Sequence, residues 1–166
     1  KSFGGSGYDI ACSHASGPII YTKKELNPRI ENVNFSPLFV DQLFFIYLNK
    51  KIDTQKAIKN YNHNSISNST IRKINTITDK IIASDTLDKF EYNLNQHEII
   101  LSQVLQKKTV KEKFFSDFQG SIKSLGAWGG DFILATGNNF TKKYFLDKGF
   151  NTIIPFNKIC RLEHKP

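Results

Sequence analysis

The apolar positions of this chain are densest at Leu43-Phe44-Phe45-Ile46-Tyr47-Leu48, where no polar residue interrupts the run. A block of that length, mostly aromatic or β-branched, predicts a central strand buried on both faces. Weaker strand signals precede it. Residues 17–24 read Gly-Pro-Ile-Ile-Tyr-Thr-Lys-Lys, with Pro18 tolerated at a first strand position. Asn27-Pro28 marks a turn, and residues 29–35 alternate through Ile30, Val33 and Phe35 as a second strand or an extended connection. Ser36-Pro37 ends that segment.

Beyond the central block the apolar spacing changes from two to three and four. Asp53 or Thr54 caps a helix to about Tyr61, with His63 and Asn64 at its end. Asn68-Ser69-Thr70 opens the next, which lines Ile71, Ile74, Ile77 or Thr78, Ile81 and Ile82 along one face. Asp85-Thr86 starts a longer helix whose stripe is Leu87, Phe90, Leu94, His97, Leu101 and Val104 or Leu105. His97 on that stripe is expected to be a hydrogen-bonded core residue. Residues 109–118 form a further short helix with Val110, Phe114, Phe115 and Phe118 inward. Strands over 121–125 and 131–136 pair as a hairpin around a glycine cluster. A turn at 137–139 leads to a helix that ends at Lys148, with Phe140, Tyr144 and Phe145 inward and Gly149 as its stop. Residues 151–154 and 158–162 are the last strand candidates, split by Pro155 and Asn157. This order predicts an α+β fold, a mainly antiparallel sheet with helices packed on one face.

Composition narrows the class. With 166 residues, 39% of them apolar, the chain can build a proper core. No apolar run reaches membrane-spanning length, and the polar, glycine-rich opening stretch has no secretory pattern. Cys12 and Cys160 lie far apart and the histidines are scattered, which implies neither a zinc site nor a disulfide framework; a reduced, cytoplasmic protein is expected. Methionine is absent, even at position 1, and the chain opens inside a glycine cluster, so a fragment lacking its N-terminal portion is expected. The formal charge is +8, but the lysines are dispersed singly or in pairs and no nucleic-acid-binding motif accompanies them. A phosphorylated small ligand would use the positive field just as well, and neither a nucleic-acid nor a membrane partner is expected.

Two glycine clusters carry the candidate chemistry. In Gly4-Gly5-Ser6-Gly7-Tyr8-Asp9 a tight, permissive backbone turn stands beside a single carboxylate. The second is Gly126-Ala127-Trp128-Gly129-Gly130-Asp131. Neither fits a nucleophile elbow, a P-loop or a dinucleotide fingerprint.

Ser6-Gly7-Tyr8-Asp9 resembles the S-G-x-D segment of the GHMP-type kinases, the family of galactose, homoserine, mevalonate and phosphomevalonate kinases. Lys123-Ser124-Leu125-Gly126-Ala127-Trp128-Gly129-Gly130 resembles that family's third motif, K-x-T-G-A-G-G-G. Residues 43–59 resemble its strand, turn and Thr-Lys-like helix start. Asn93, His97 and Leu101, four apart, resemble its helix carrying an Asn and a His. Gly7-Tyr8-Asp9-Ile10-Ala11 is similar to the G-Y-D-I-A run of a mevalonate-kinase-like subgroup. Order and spacing hold over nearly the whole chain.

The resemblance implies the end of an N-terminal catalytic domain at 1–35 and a ferredoxin-like C-terminal domain at 36–166. It implies an ATP-dependent kinase acting on an alcohol or phosphate group, such as that of mevalonate or phosphomevalonate in isoprenoid precursor synthesis, with ATP and Mg²⁺ as cofactors. Asp9 would be catalytic, orienting or deprotonating the acceptor hydroxyl. Ser6 and Gly7 would shape the first loop, and Lys123, Gly126, Ala127, Gly129 and Gly130 the substrate or phosphate loop; no residue is assigned to a metal. Three departures stand beside the matches: Leu125 replaces a Thr, Trp128 replaces a Gly, and Asp131 adds a negative charge. The family's phosphate-cradling P-x-x-x-G-L-x-S-S motif does not occur in these residues. The chain alone is therefore expected to be inactive, with the missing N-terminal portion as its partner. The alternatives are a mevalonate-diphosphate-decarboxylase-like enzyme and a non-catalytic binding or regulatory domain of the same fold.

Overall fold

A computed structural model describes residues 7–23, 27–50, 66–126, 128 and 130–160. The chain divides into two units, Lys1–Ser36 with Asn157–Pro166, and Pro37–Phe156. The helix expected over 53–61 lies outside the described residues.

In the first unit, helix α1 spans Tyr8–His14; residues 4–6 of the expected glycine turn lie outside the described residues. Gly7 caps it in the left-handed region, at φ 86°, and its carbonyl accepts the Ala11 N–H at 3.1 Å. Asp9 in the first turn complements the positive end of the helix, and the small residues that follow impose no β-branched run against it. A Cβ on Gly7 would stand 3.1 Å from the Tyr21 hydroxyl oxygen, so both the backbone angle and the space favour glycine there. Strands β1 (Ile19–Thr22) and β2 (Arg29–Asn32) pair antiparallel with Ile19 opposite Asn32, which makes 29–32 a strand and not a connection.

The second unit is built on a four-stranded antiparallel sheet in the order β4-β5-β3-β6. These strands are β3 (Leu43–Tyr47), β4 (Ile122–Ser124), β5 (Phe132–Thr136) and β6 (Ile153–Pro155). The continuous apolar run becomes β3, paired on both sides as expected of a central strand. Phe44, Ile46, Ile122, Ile133 and Ala135 share one sheet face by register and form a core with Val110, Phe115, Phe118 and Phe145. On the other face Phe45 and Tyr47 are half-buried. Tyr47 lies against Phe132 at 5.2 Å between ring centroids, and Phe45 stacks on Phe156 at 5.5 Å. Pro155 closes β6 at the sheet edge, where a missing N–H costs nothing.

Helices α2 (Asn68–Ile82) and α3 (Leu87–Leu105) pack against each other. Ser67 caps α2 by accepting the Thr70 N–H at 3.1 Å, and Thr86 caps α3 by accepting that of Lys89. The cap of α2 thus sits one residue ahead of the expected Asn68-Ser69-Thr70 cluster. Helix α4 (Val110–Phe114) opens with a reciprocal capping box between Thr109 and Glu112. It ends four residues short of the expected 118, and Phe115 and Phe118 enter the core from the turn after it. Phe114, expected inward, lies exposed at the helix end, with the ammonium groups of Lys50 and Lys113 near 5 Å from its ring centre.

Helix α5 (Phe140–Asp147) buries Phe145 completely but leaves Phe140, also expected inward, exposed on its first turn. The chain leaves α5 through Gly149, whose N–H bonds Leu146, while the Phe150 N–H bonds Phe145. Helix α6 (Phe156–Ile159) stands where a strand over 158–162 was expected. No described strand lies beyond β6 to pair with one, and a helical turn satisfies its own backbone; residues 161 and 162 lie outside the described residues. The α+β class with antiparallel sheets holds. No described helix is long and apolar enough to cross a membrane.

Candidate functional site

In the first unit Gly7 and Asp9 stand together at the start of α1, with Ser6 outside the described residues. Asp9 is exposed. The Tyr8 hydroxyl is held above its ordinary pKa by partial burial first, then by the charge and hydrogen bond of Asp9. A hollow of about 460 Å³ opens between α1 and the β1–β2 pair, lined by Gly7, Ile10, His14, Tyr21 and Ile30 among others.

In the second unit the β4–β5 hairpin carries the other glycine cluster. The Leu125 N–H closes it onto the Phe132 carbonyl at 3.2 Å, and the Asp131 carbonyl accepts the Leu48 N–H at 2.7 Å, which ties the hairpin to the end of β3. Gly126 is exposed and left-handed at φ 65°, with open space where a Cβ would be. Trp128 also takes a positive φ of 45°, and its buried indole Nε1 has no hydrogen-bond partner among the described residues. Gly130 is buried, whereas Ala127 and Gly129 lie outside the described residues.

Lys123 enters this hairpin on β4, and its ammonium is engaged on the protein side. Nζ donates to Glu98 Oε1 at 3.0 Å and to the Ser124 carbonyl at 2.9 Å. The second Glu98 oxygen accepts from Ser124 Oγ at 2.8 Å. Glu98 is only 3% exposed, yet both of its oxygens are satisfied, as a buried carboxylate requires. Two turns earlier on α3, Glu91 accepts a hydrogen bond from Thr136 Oγ1 on β5.

Sequence reasoning missed Glu98. The buried residues of α3 are Phe90, Leu94 and Glu98, a row at spacing four, while the apolar stripe steps instead from Leu94 to His97. The available signal was position: Glu98 continues the Phe90–Leu94 row, and only its charge argued for the surface.

His97 is half-buried, and its buried Nδ1 lacks a hydrogen-bond partner among the described residues, contrary to the expectation of a bonded core histidine. Lys123, whose charge it feels, already points its donors at Glu98 and Ser124. Burial first, and that positive charge second, depress the His97 pKa from 6.5 to about 4, so the ring is neutral at neutral pH. The unfolded chain takes up this proton below 6.5 and the folded chain only near 4. The contribution to stability is therefore complete above 6.5 and is lost as pH falls through that window. Urea unfolding of His97→Gln across the window is expected to show a shallower loss than the unmodified chain; parallel profiles would contradict it. Asn93, the other residue of that helix pattern, instead reaches toward the α2–α3 corner, with Nδ2 3.4 Å from Ser84 Oγ.

The structure thus brings Lys123, Gly126 and Gly130 into one hairpin of the second unit, with Gly7 and Asp9 adjacent in the first. No protein-family model and no curated protein matches the sequence. Among solved structures, the chain is similar to the Lin0012 protein from Listeria innocua, at 16% identity and a TM-score of 0.55 over 73% of this chain and 38% of that one. It is also similar to the phosphomevalonate kinase of Streptococcus pneumoniae, at 18% identity and a TM-score of 0.49 over 79% of this chain and 44% of that one. The first likeness shows a shared fold. The chain spans less than half the length of either protein.

Proposed function

We propose that this chain is part of an ATP-dependent kinase of the GHMP type that phosphorylates an alcohol or phosphate group of a small molecule. The observation that carries the reading is the β4–β5 hairpin. Its residues follow the third-motif order, and Gly126 leaves left-handed backbone open to the outside. Such backbone can approach an anionic group closely and offer it N–H donors.

In this reading Asp9 orients the acceptor hydroxyl or takes its proton as oxygen attacks the γ-phosphorus of ATP. Phosphoryl transfer depends mainly on positioning and charge neutralisation, so one well-placed carboxylate has a sufficient role. The reading requires ATP and Mg²⁺. Magnesium in such reactions is held by phosphates with one or two carboxylates, and its binding is assigned to no residue of this chain. Lys123, balanced by Glu98, serves as an anchor of the loop, which leaves backbone as the anion-facing element.

The test is ADP release by the full-length protein with ATP, Mg²⁺ and a panel of small alcohols and phospho-alcohols, phosphomevalonate among them. One acceptor is expected to stimulate release well above the no-acceptor rate. Silence across the panel from folded protein refutes the kinase. The Trp128 substitution and the neutralised Lys123 favour a second reading, a non-catalytic binding domain, which the same panel would reveal as binding without turnover.

A further inference from the structure

Strand β4 is three residues long and lies at the sheet edge, paired among the described strands only with β5. So short an edge strand fixes only weakly the direction in which the next loop leaves. Side chains of consecutive strand residues point to opposite faces, yet Lys123 and Ser124 both end on the carboxylate of Glu98. Helix α3, which packs against β4, thus supplies one side-chain partner to both residues.

We infer that Glu98 is a positioning residue for the glycine loop. Through Lys123 and Ser124 it sets the path of the chain into Leu125 and Gly126. The loop does not close on a described contact of its own indole, since Trp128 Nε1 is buried without a partner among the described residues. At the β4 end the chain is held by the Leu125 N–H on the Phe132 carbonyl and, through Lys123 and Ser124, by Glu98. The consequence for phosphoryl transfer rests on the kinase reading above; the claim about the loop does not.

Trp128 is the single tryptophan of the chain and lies inside the loop, so emission excited selectively at the red edge of the tryptophan band reports on it alone. The experiment compares the 166-residue chain with Glu98→Gln, which keeps the side-chain volume and removes the charge. Far below the unfolding midpoint and with far-UV circular dichroism preserved, the variant is expected to emit at longer wavelength and to be quenched more by acrylamide. A merely structural role would lower the midpoint and leave native-state emission and quenching unchanged, and that result overturns the inference. Ser124→Ala keeps the ion pair and frees one carboxylate oxygen, so it carries the test if Glu98→Gln does not fold. It is expected to give a smaller change in the same direction, and no change overturns the inference. In the full-length enzyme Glu98→Gln is expected to lower kcat/KM by about tenfold to a hundredfold, the cost of a misplaced loop. The fluorescence decides the positioning claim whether or not phosphotransfer is found, so the two readings fail separately.

Discussion

Asp9→Asn in the full-length protein is expected to lower turnover by about 10²–10⁴-fold, the range for losing a positioned general base. The substitution keeps size and shape and removes the charge and the proton-accepting oxygen. Asp9 is exposed and lies on a first helical turn, where a carboxylate contributes about 0.3–1 kcal/mol through the helix dipole. Folding should therefore change little while catalysis falls steeply. Steady-state ADP release with the stimulating acceptor, beside a thermal unfolding curve of the same preparation, separates the two effects. Turnover at the unmodified rate contradicts the assignment of Asp9.

Phe145→Ala is expected to destabilise the chain by about 3–5 kcal/mol, the cost of removing a buried aromatic ring and leaving its cavity. The Phe145 side chain is fully buried on the inward side of α5. Its ring lies 5.2 Å from that of Phe115 and 5.1 Å from those of Phe118 and Tyr144, mostly edge to face. The same rings close over Ile46, Ile133 and Ala135 of the sheet, so little can move in to fill the space. A urea titration should show a lower midpoint with the slope unchanged, since the surface exposed on unfolding is the same. A loss below about 1 kcal/mol, typical of a surface substitution, would show that this cluster is not the core.

The sequence made legible those features that depend on neighbours close in the chain. The unbroken apolar run at 43–48 became β3 because a strand paired on both sides needs apolar residues on both faces. The α3 stripe, the hairpin around the second glycine cluster and the Gly149 stop were equally local patterns. Illegible features came from phase and from distance. The Thr109–Glu112 box and the early end of α4 set which aromatic residues face inward; Phe115 and Phe118 do so as expected, while Phe114 is turned out. Phe140 was placed inward by spacing, but it occupies the first helical position, where the chain has only just left the turn.

The candidate site shows the same division. Lys123 was visible as a motif residue, yet its partner lies 25 residues away on another element. No local pattern marks a charged helix position as buried until the strand that satisfies it is in place. The residues after Gly7 form a short helix, to which Gly7 supplies the left-handed cap. That helix leaves Asp9 exposed on its first turn.

The deciding measurement is phosphorus NMR of ATP and Mg²⁺ incubated with the full-length protein and the acceptor. A GHMP-type kinase converts the γ-phosphate resonance into a new phosphate ester or phosphoanhydride on the acceptor, in step with ADP. Release of the same phosphorus only as inorganic phosphate, or an unchanged ATP spectrum, would contradict the account.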